Sequence, residues 1–123
     1  MVKRSKQEPR SCCPITSALE LIGDRWTMVV LRDMVNGKKR YSEFRDSPER
    51  ISTNILADRL CVMENSGLIT ALPYQQRPMR LEYKLTKKGM DLLPVLQELC
   101  RWGNKHLPGT WVPPASFMDR KVG

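Results

Sequence analysis

Residues 41–85 read YSEFRDSPERISTNILADRLCVMENSGLITALPYQQRPMRLEYKL, and two helices can be recognised in the first half of this stretch. Tyr41 and Phe44 lie one helical turn apart, which predicts a short helix over residues 41–46. Ser52 can accept a hydrogen bond from an early backbone amide, so a longer helix is predicted to begin there. The apolar residues of that longer helix recur at helical spacing and are Leu56, Leu60 and Met63.

The second half of the stretch predicts a β-hairpin. Residues 68–72 form a plausible strand, and residues 80–85 alternate apolar and charged side chains as a half-buried strand does. Residues 73–79 lie between them and contain two prolines around a polar centre, which favours a projecting loop. Two helices followed by a two-stranded ribbon form the plan of a winged helix-turn-helix, so the fold class is mainly α with a small β-hairpin.

Two further helices are predicted before this stretch. Apolar residues at helical spacing predict a first helix over residues 15–22, and Asp24 is positioned to cap a second helix. The second helix should end at the Asn36-Gly37 pair. Its predicted buried residues are Trp26, Val29, Val30 and Met34, and its predicted outward residues are Arg25, Arg32 and Asp33.

A last helix is predicted to begin after Thr86, to be kinked by Pro94, and to carry a wide apolar stripe. Together with the apolar first helix, this stripe exceeds what one copy can readily bury, which favours a homodimer through the N- and C-terminal helices. The predicted interface residues are Ile15, Leu19, Leu92, Leu96, Leu99 and Trp102.

These patterns divide the chain into three parts. Residues 1–11 are predicted to form a basic flexible arm, and residues 12–107 the winged-helix domain. Residues 108–123 contain several prolines and no periodicity, which predicts an extended or disordered tail.

The charge of the chain favours a polyanionic partner. Its 123 residues include 21 Lys and Arg against 13 Asp and Glu, a formal net charge of +8 with a pI near 9.6. Basic surfaces also keep proteins soluble, but here the positive charge is concentrated in the arm, in residues 36–45 and in residues 75–88. The last two segments flank the helix predicted to begin at Ser52, which is the reading helix of a helix-turn-helix. No stretch is apolar enough to span a membrane and no export signal is recognisable, so a cytoplasmic location is expected.

The chain resembles the HxlR-type transcription regulators, which are winged-helix relatives of the MarR group. The residues that carry this resemblance cover about three quarters of the chain. They are Cys13-Pro14-Ile15, Gly23-Asp24-Arg25-Trp26-Thr27, Arg40-Tyr41-Ser42-Glu43-Phe44, Ile51-Ser52, Leu56, Arg59-Leu60, Met63-Glu64, Gly67-Leu68-Ile69, Glu82-Tyr83-Lys84-Leu85-Thr86, Gly89 and Leu99 to Gly103. The resemblance implies a homodimeric regulator whose Ser52 helix enters the major groove of double-stranded DNA while the ribbon tip approaches the minor groove.

Candidate DNA contacts follow from the placement of polar side chains. Ser52, Thr53 and Asn54 are short hydrogen-bonding residues at the start of the reading helix, and Asn54 is the first choice because Asn pairs bidentately with adenine. Arg59 could reach a phosphate or pair with a nearby carboxylate. The predicted phosphate contacts are Lys38, Lys39, Arg40, Arg77 and Arg80, and Gln75 and Gln76 are predicted to read a groove edge. Cys61 and Val62 depart from the family pattern, which usually has charged residues there.

The cysteines lack the spacing of a zinc site, so no metal or cofactor is expected. Cys13 matches a cysteine that senses oxidants or electrophiles in several members of the resembled family, although the identity of any effector is open. Arg10 nearby is predicted to lower the pKa of Cys13. Cys61 and Cys100 are expected to be buried.

The sequence also bears on two classes of function other than DNA binding. An enzyme is disfavoured because the sequence contains no phosphate-binding glycine loop, no paired carboxylates and a single histidine, His106. A winged helix that binds RNA or a protein partner stays open as the alternative, because the fold alone does not determine the ligand.

Overall fold

A computed structural model describes residues 11–123, and it consists there of seven helices and one two-stranded antiparallel sheet. The predicted basic arm lies outside the described residues except for Ser11. The winged helix-turn-helix fold is confirmed. The elements are α1 (Pro14–Ile22), α2 (Thr27–Val35), α3 (Tyr41–Arg45), α4 (Thr53–Asn65), β1 (Ile69–Gln76), β2 (Met79–Leu85), α5 (Lys87–Met90), α6 (Leu93–His106) and α7 (Ala115–Met118).

Short polar side chains begin the helices where the sequence predicted them. The Asp24 carboxylate accepts hydrogen bonds from the backbone amides of Trp26 and Thr27 at 2.9 Å each, directly before α2. The Ser52 hydroxyl accepts from the amide of Ile55 at 3.3 Å and caps α4. Each of these contacts satisfies backbone donors that a helix start leaves without a partner.

The core lies between α2, α4, the start of β1 and α6. Leu31, Phe44, Leu56, Met63 and Leu68 are all at most 1 % exposed. The predicted face of α2 was only partly right. Val30 and Met34 are buried, but Trp26 and Val29 are only half-buried and Asp33, predicted to face outward, is 5 % exposed. The reason is that Asp33 has polar partners inside the protein, namely Ser47 and Arg32.

The ribbon, β1 with β2, is longer than predicted. The loop expected over residues 73–79 is mostly strand, because β1 extends to Gln76 and only Arg77 and Pro78 form the turn. The pairing register is irregular between Pro73 and Gln75, and such an irregularity accommodates a proline that lacks the N–H donor.

The predicted kink at Pro94 is a break between two helices. Helix α5 ends at Met90, and α6 begins at Leu93 with Pro94 in its first turn. A proline fits there because the first amides of a helix have no partner within it.

The prediction of an extended or disordered tail over residues 108–123 was wrong. This segment contains α7, whose Phe117 side chain is 7 % exposed. The Gln97 side-chain amide, buried in α6, donates to the carbonyl oxygens of Phe117 at 3.0 Å and Arg120 at 2.8 Å. Arg120 in turn donates to the Val35 carbonyl at 2.5 Å. One apolar anchor and a few backbone contacts hold the tail, and neither produces a periodic sequence pattern.

The role of Gln97 gives a stability prediction. Gln97→Ala leaves the buried carbonyl contacts of the tail unpaired and should lower the free energy of unfolding by about 1–3 kcal/mol. Glu98→Ala removes an exposed side chain from the next position of α6 and should change it by less than about 0.5 kcal/mol. Urea unfolding of both variants measures the difference. Equal midpoints for the two would contradict the anchoring role of Gln97.

Candidate nucleic-acid interface

The start of α4 is presented at the surface by a tightly held turn. The Tyr41 hydroxyl in α3 donates to the Thr53 carbonyl at 2.8 Å, and Ile51 inserts into the core at 6 % exposure. Arg50 between them has a φ of 58°, a conformation that non-glycine residues rarely adopt. As a result the side chains of Ser52, Thr53 and Asn54 are exposed together at the first turn of α4.

A buried carboxylate connects this turn to α2. The Asp33 carboxylate accepts hydrogen bonds from the Ser47 hydroxyl and from Arg32 Nε at 3.1 Å. Arg32 also forms a bidentate pair with Glu49, with Nη–Oε distances of 2.7 and 2.9 Å. Lys38 Nζ donates to Ser47 Oγ at 3.0 Å. We call these five residues the Asp33 network.

The pairing between Arg32 and Glu49 changes the pKa of both groups. The hydrogen bond to Glu49 is the largest cause of the raised pKa of Arg32, which burial opposes. The same hydrogen bond from Arg32 lowers the pKa of Glu49. The ion pair between Arg32 and Glu49 joins α2 to the turn that leads into α4.

Three of the predicted phosphate contacts already have partners within the protein. Lys38 belongs to the Asp33 network, while Lys39 Nζ lies 3.4 Å and Arg40 Nε 3.0 Å from the same Glu82 oxygen on β2. The Arg40 guanidinium also lies 3.9 Å from the centre of the Tyr74 ring. The residues after α2 thus contact the middle of the ribbon.

Glu82 is the centre of this second cluster. The hydrogen bond from Arg40 is the largest cause of the lowered pKa of Glu82, and Lys39 adds to it. A backbone hydrogen bond from Tyr83 to the Lys39 carbonyl, 2.7 Å long, runs parallel to the side-chain contacts. The ribbon is therefore fixed relative to α3 by both backbone and charge.

Other arginines are exposed and make no ion pair with a described residue. Arg77 and Arg80 lie at the tip of the ribbon, as predicted from the sequence. Arg45 at the end of α3 and Arg50 before α4 share this property, and sequence reasoning assigned neither a role. The sequence feature that could have identified Arg45 and Arg50 is their position on either side of the turn that precedes the Ser52-capped helix. Arg45 and Arg50 therefore flank the turn before α4, and Arg77 and Arg80 lie at the ribbon tip, each without an ion pair among the described residues.

Among the remaining predicted contacts, Gln75 and Arg59 have partners within the protein and Gln76 is exposed. Gln75 Nε2 donates to the Pro78 carbonyl at 3.2 Å and so braces the ribbon turn, whereas Gln76 is exposed. Arg59 lies 2.6 Å from Asp58 and 3.4 Å from Asp24, so of the two readings left open by the sequence, pairing with a carboxylate is the one observed. The hydrogen bond to Asp58 is the largest cause of the raised pKa of Arg59.

The predicted interface residues mostly lie on the surface. Ile15 and Leu19 on α1 are 70 % and 53 % exposed, and Leu99 and Trp102 on α6 are 55 % and 60 % exposed. The assignment of Leu96 to this surface was wrong, because it is 6 % exposed and packs in the core of its own chain. Leu92 is half-buried against the same core.

The cysteines differ in their surroundings. Cys13 is exposed directly before α1, and the backbone amide of Thr16, followed by that of Ile15, lowers the pKa of its thiol. Arg10, the predicted cause, lies outside the described residues. Cys61 is exposed, contrary to the expectation of burial, and Cys100 is half-buried, which raises the pKa of its thiol.

Residues 11–123 contain no cluster of three His, Cys, Asp or Glu side chains suited to a metal ion. Among these residues no helix has the length and hydropathy needed to cross a membrane.

Comparison with known proteins places this architecture in a family. Residues 21–110 match the family model described as HxlR-like helix-turn-helix. The HTH-type transcriptional regulator YdeP of Bacillus subtilis (strain 168) is 36 % identical over 94 residues, which are 76 % of this chain and 73 % of YdeP.

Two solved structures show the same fold. PA1607, described as a putative transcription factor, superposes with a TM-score of 0.74 at 33 % identity, over 86 % of this chain and 75 % of PA1607. The redox regulator HypR in its oxidized form superposes with a TM-score of 0.69 at 33 % identity, over 76 % of this chain and 97 % of HypR. The chain therefore belongs to the HxlR-like helix-turn-helix family of transcription regulators.

Proposed function

We propose that this protein is a homodimer that binds a near-palindromic operator in double-stranded DNA and regulates transcription from it. The observation that carries the proposal is the exposed first turn of α4, with Ser52, Thr53 and Asn54, beside arginines that have no partner among the described residues. A regulator of this kind acts where the DNA lies, so we place it in the cytoplasm.

In this proposal the first turn of α4 enters the major groove. Asn54 offers a donor and an acceptor to adenine, and Ser52 and Thr53 offer hydroxyl groups to neighbouring base edges or phosphates. Helix α4 carries little net charge, so its flanks must supply the attraction to the phosphates. Arg77 and Arg80 at the ribbon tip, with Arg45 and Arg50 beside the turn, are suited to this task.

We propose a structural role for Lys38, Lys39 and Arg40 beside the phosphate contacts predicted from the sequence. Each is held by an internal partner, so we assign them mainly to orienting the turn and the ribbon. Contacts from these residues to phosphate would have to compete with Glu82 or Ser47.

The apolar side chains on α1 and α6 support the homodimer. Ile15, Leu19, Leu99 and Trp102 are each more than half exposed in the single chain, and apolar surface of this kind is normally covered by a partner. A two-fold dimer would set its two α4 helices about 34 Å apart, one turn of the DNA helix, or a multiple of it.

We further propose that oxidants or electrophiles act on the Cys13 thiol. Its exposure and the lowered pKa of the thiol are properties of redox-sensing cysteines. The similarity to HypR, a redox regulator, supports the same assignment.

Two substitutions separate base reading from phosphate binding. Asn54→Ala should weaken binding to the preferred operator by about 1–3 kcal/mol and relax discrimination at one base pair. Arg77→Ala should weaken all duplexes alike and reduce the slope of log affinity against log salt by about 1.

Titration by fluorescence anisotropy measures both effects on duplexes selected from a random pool, with RNA of the same sequence as competitor. Preference for the RNA, or the same loss pattern for both variants, would contradict the proposed reading of duplex DNA.

Glu82→Gln tests the internal pairing of Lys39 and Arg40. The substitution frees two cations and loosens the ribbon, so the salt slope should steepen by about 1–2 while the ratio of specific to non-specific affinity falls. Glu98→Gln makes the same change in net charge on α6 and serves as the control. An unchanged slope and ratio for Glu82→Gln would exclude the role given to this carboxylate.

The thiol proposal is tested by treating the wild type and Cys13→Ser with mild diamide before titration on operator DNA. The wild-type affinity should change by about fivefold or more, the scale of ordinary coupling between sites, and the variant should not respond. A wild type that keeps its affinity after full modification of Cys13, verified by mass spectrometry, would refute the sensor role and leave DNA binding intact.

A further inference from the structure

An exposed apolar side chain lies between two arginines at the tip of the ribbon. Met79 is the first residue of β2 and is 58 % exposed. Arg77 precedes it by two positions and Arg80 follows it directly, and neither makes an ion pair with a described residue. The tip therefore combines one apolar group with a positive charge on either side of it in the sequence.

Met79 lies away from the apolar core of its own chain. It pairs with Gln76 at the end of the ribbon, and only the two turn residues lie beyond that pair. Among residues 11–123, the core and the side chains that pack against it do not include Met79. Its apolar surface therefore contributes little to folding and is available to a partner of the protein.

The tip is firmly supported by the rest of the ribbon. β1 and β2 stay paired up to Gln76 and Met79. The Gln75 side-chain amide donates to the carbonyl oxygens of Arg77 at 3.4 Å and Pro78 at 3.2 Å, so a side chain closes the turn. A side chain that separates stacked bases works against the stacking energy. A support that is already ordered can oppose that energy without a further loss of entropy.

The partner that suits this tip is the minor groove of duplex DNA. The ribbon follows α4 directly and packs on the same core. In the proposed function α4 occupies the major groove, and the groove that adjoins it along the duplex is the minor groove. Phosphates border that groove and attract arginines, whereas its floor exposes the edges of stacked base pairs. Methionine is among the apolar side chains that enter between base pairs there and kink the duplex.

We propose that Met79 inserts between two neighbouring base pairs from the minor groove of the operator and bends the DNA there. The proposal rests on the proposed function, because it needs the duplex that α4 binds. Arg77 and Arg80 contact the phosphates beside the opened step, and a homodimer makes one such kink with each ribbon.

Insertion of Met79 gives the protein a second way to read sequence. The operator position that faces the tip is read through its ease of unstacking rather than through hydrogen bonds. Pyrimidine–purine steps such as TA and CA are the most easily kinked, so one of them is expected at that position in each half-site.

Three substitutions isolate the role of the Met79 side chain. Met79→Ala removes the inserting group and leaves the charge of the tip unchanged. Met79→Leu keeps an apolar side chain of similar volume and should keep the function. Leu72→Ala removes an apolar side chain that is 64 % exposed on the same ribbon but pairs with Glu82, away from the tip, and it is the matched control. Both positions are exposed, so the fold should be little affected.

Two signals from the selected operator report the insertion, and both are measured at saturating protein. 2-Aminopurine, an adenine analogue whose fluorescence is quenched while it is stacked, is placed at successive positions of the duplex. Wild-type protein should raise its fluorescence at one step in each half-site. Energy transfer between dyes at the duplex ends should show a bend of at least about 20° for each ribbon. Met79→Ala should lose both signals, and Met79→Leu and Leu72→Ala should keep them.

The preference for an easily kinked step should depend on the same side chain. Replacing the pyrimidine–purine step at the bright position by AA should weaken wild-type binding by about fivefold or more. The same replacement should weaken binding of Met79→Ala by less than about twofold, because that variant does not open the step.

Several results would overturn the insertion. A wild type that binds its operator while every 2-aminopurine stays quenched and the duplex stays straight would do so and would leave DNA binding intact. Retention of both signals by Met79→Ala, or their equal loss in Leu72→Ala, would also overturn it. A wild type that binds no duplex at all would refute the proposed function, and the insertion would fall with it.

Discussion

The buried carboxylate of Asp33 is the constraint on which the surface presented by this protein depends. A carboxylate at 5 % exposure is costly unless it is paired and hydrogen-bonded, and Ser47 and Arg32 meet that requirement. Ser47 belongs to the turn between α3 and α4, so satisfying Asp33 also fixes the turn. The same network includes Glu49, which immediately precedes the strained Arg50, and the start of α4 follows from there. The orientation of α4 is thereby linked to α2 and the core beneath it.

Glu82 positions the ribbon through ion pairs, as Asp33 positions the turn before α4. By pairing with Lys39 and Arg40 it connects the residues after α2 to β2 and offsets part of their positive charge. The chain is strongly basic, yet within residues 36–85 the arginines without an ion pair lie at the ribbon tip and beside the turn rather than directly after α2. In the proposed function this arrangement limits attraction to arbitrary DNA while it fixes the ribbon relative to α4. Internal ion pairs can in this way fix the position of the ribbon relative to α4 even though the protein has a high net charge.

Local features of the sequence predicted most of the fold. Caps at Asp24 and Ser52, the helical spacing of Leu56, Leu60 and Met63, and the alternation in residues 80–85 all act over a few residues, so they can be read without a structure. The exposed first turn of α4 followed from the same local signals. The features that were not predicted depend on contacts between distant residues. Arg40 contacts Glu82 at a sequence separation of 42 residues, and Arg120 contacts Val35 at a separation of 85 residues. Neither the internal pairing of Arg40 nor the ordered structure of the tail can therefore be predicted from a local sequence pattern.

Counting the chains on one duplex and mapping where they protect it shows whether two copies bind the DNA together. A selected operator of about three helical turns, about 30 base pairs, should carry two protein chains by sedimentation equilibrium. Hydroxyl-radical footprinting of that complex should give protected patches on one face of the DNA, with centres about 34 Å apart or at a multiple of that distance. A single chain bound per duplex, or protection without a fixed spacing, would contradict the proposal that two paired copies present their α4 helices to the same DNA.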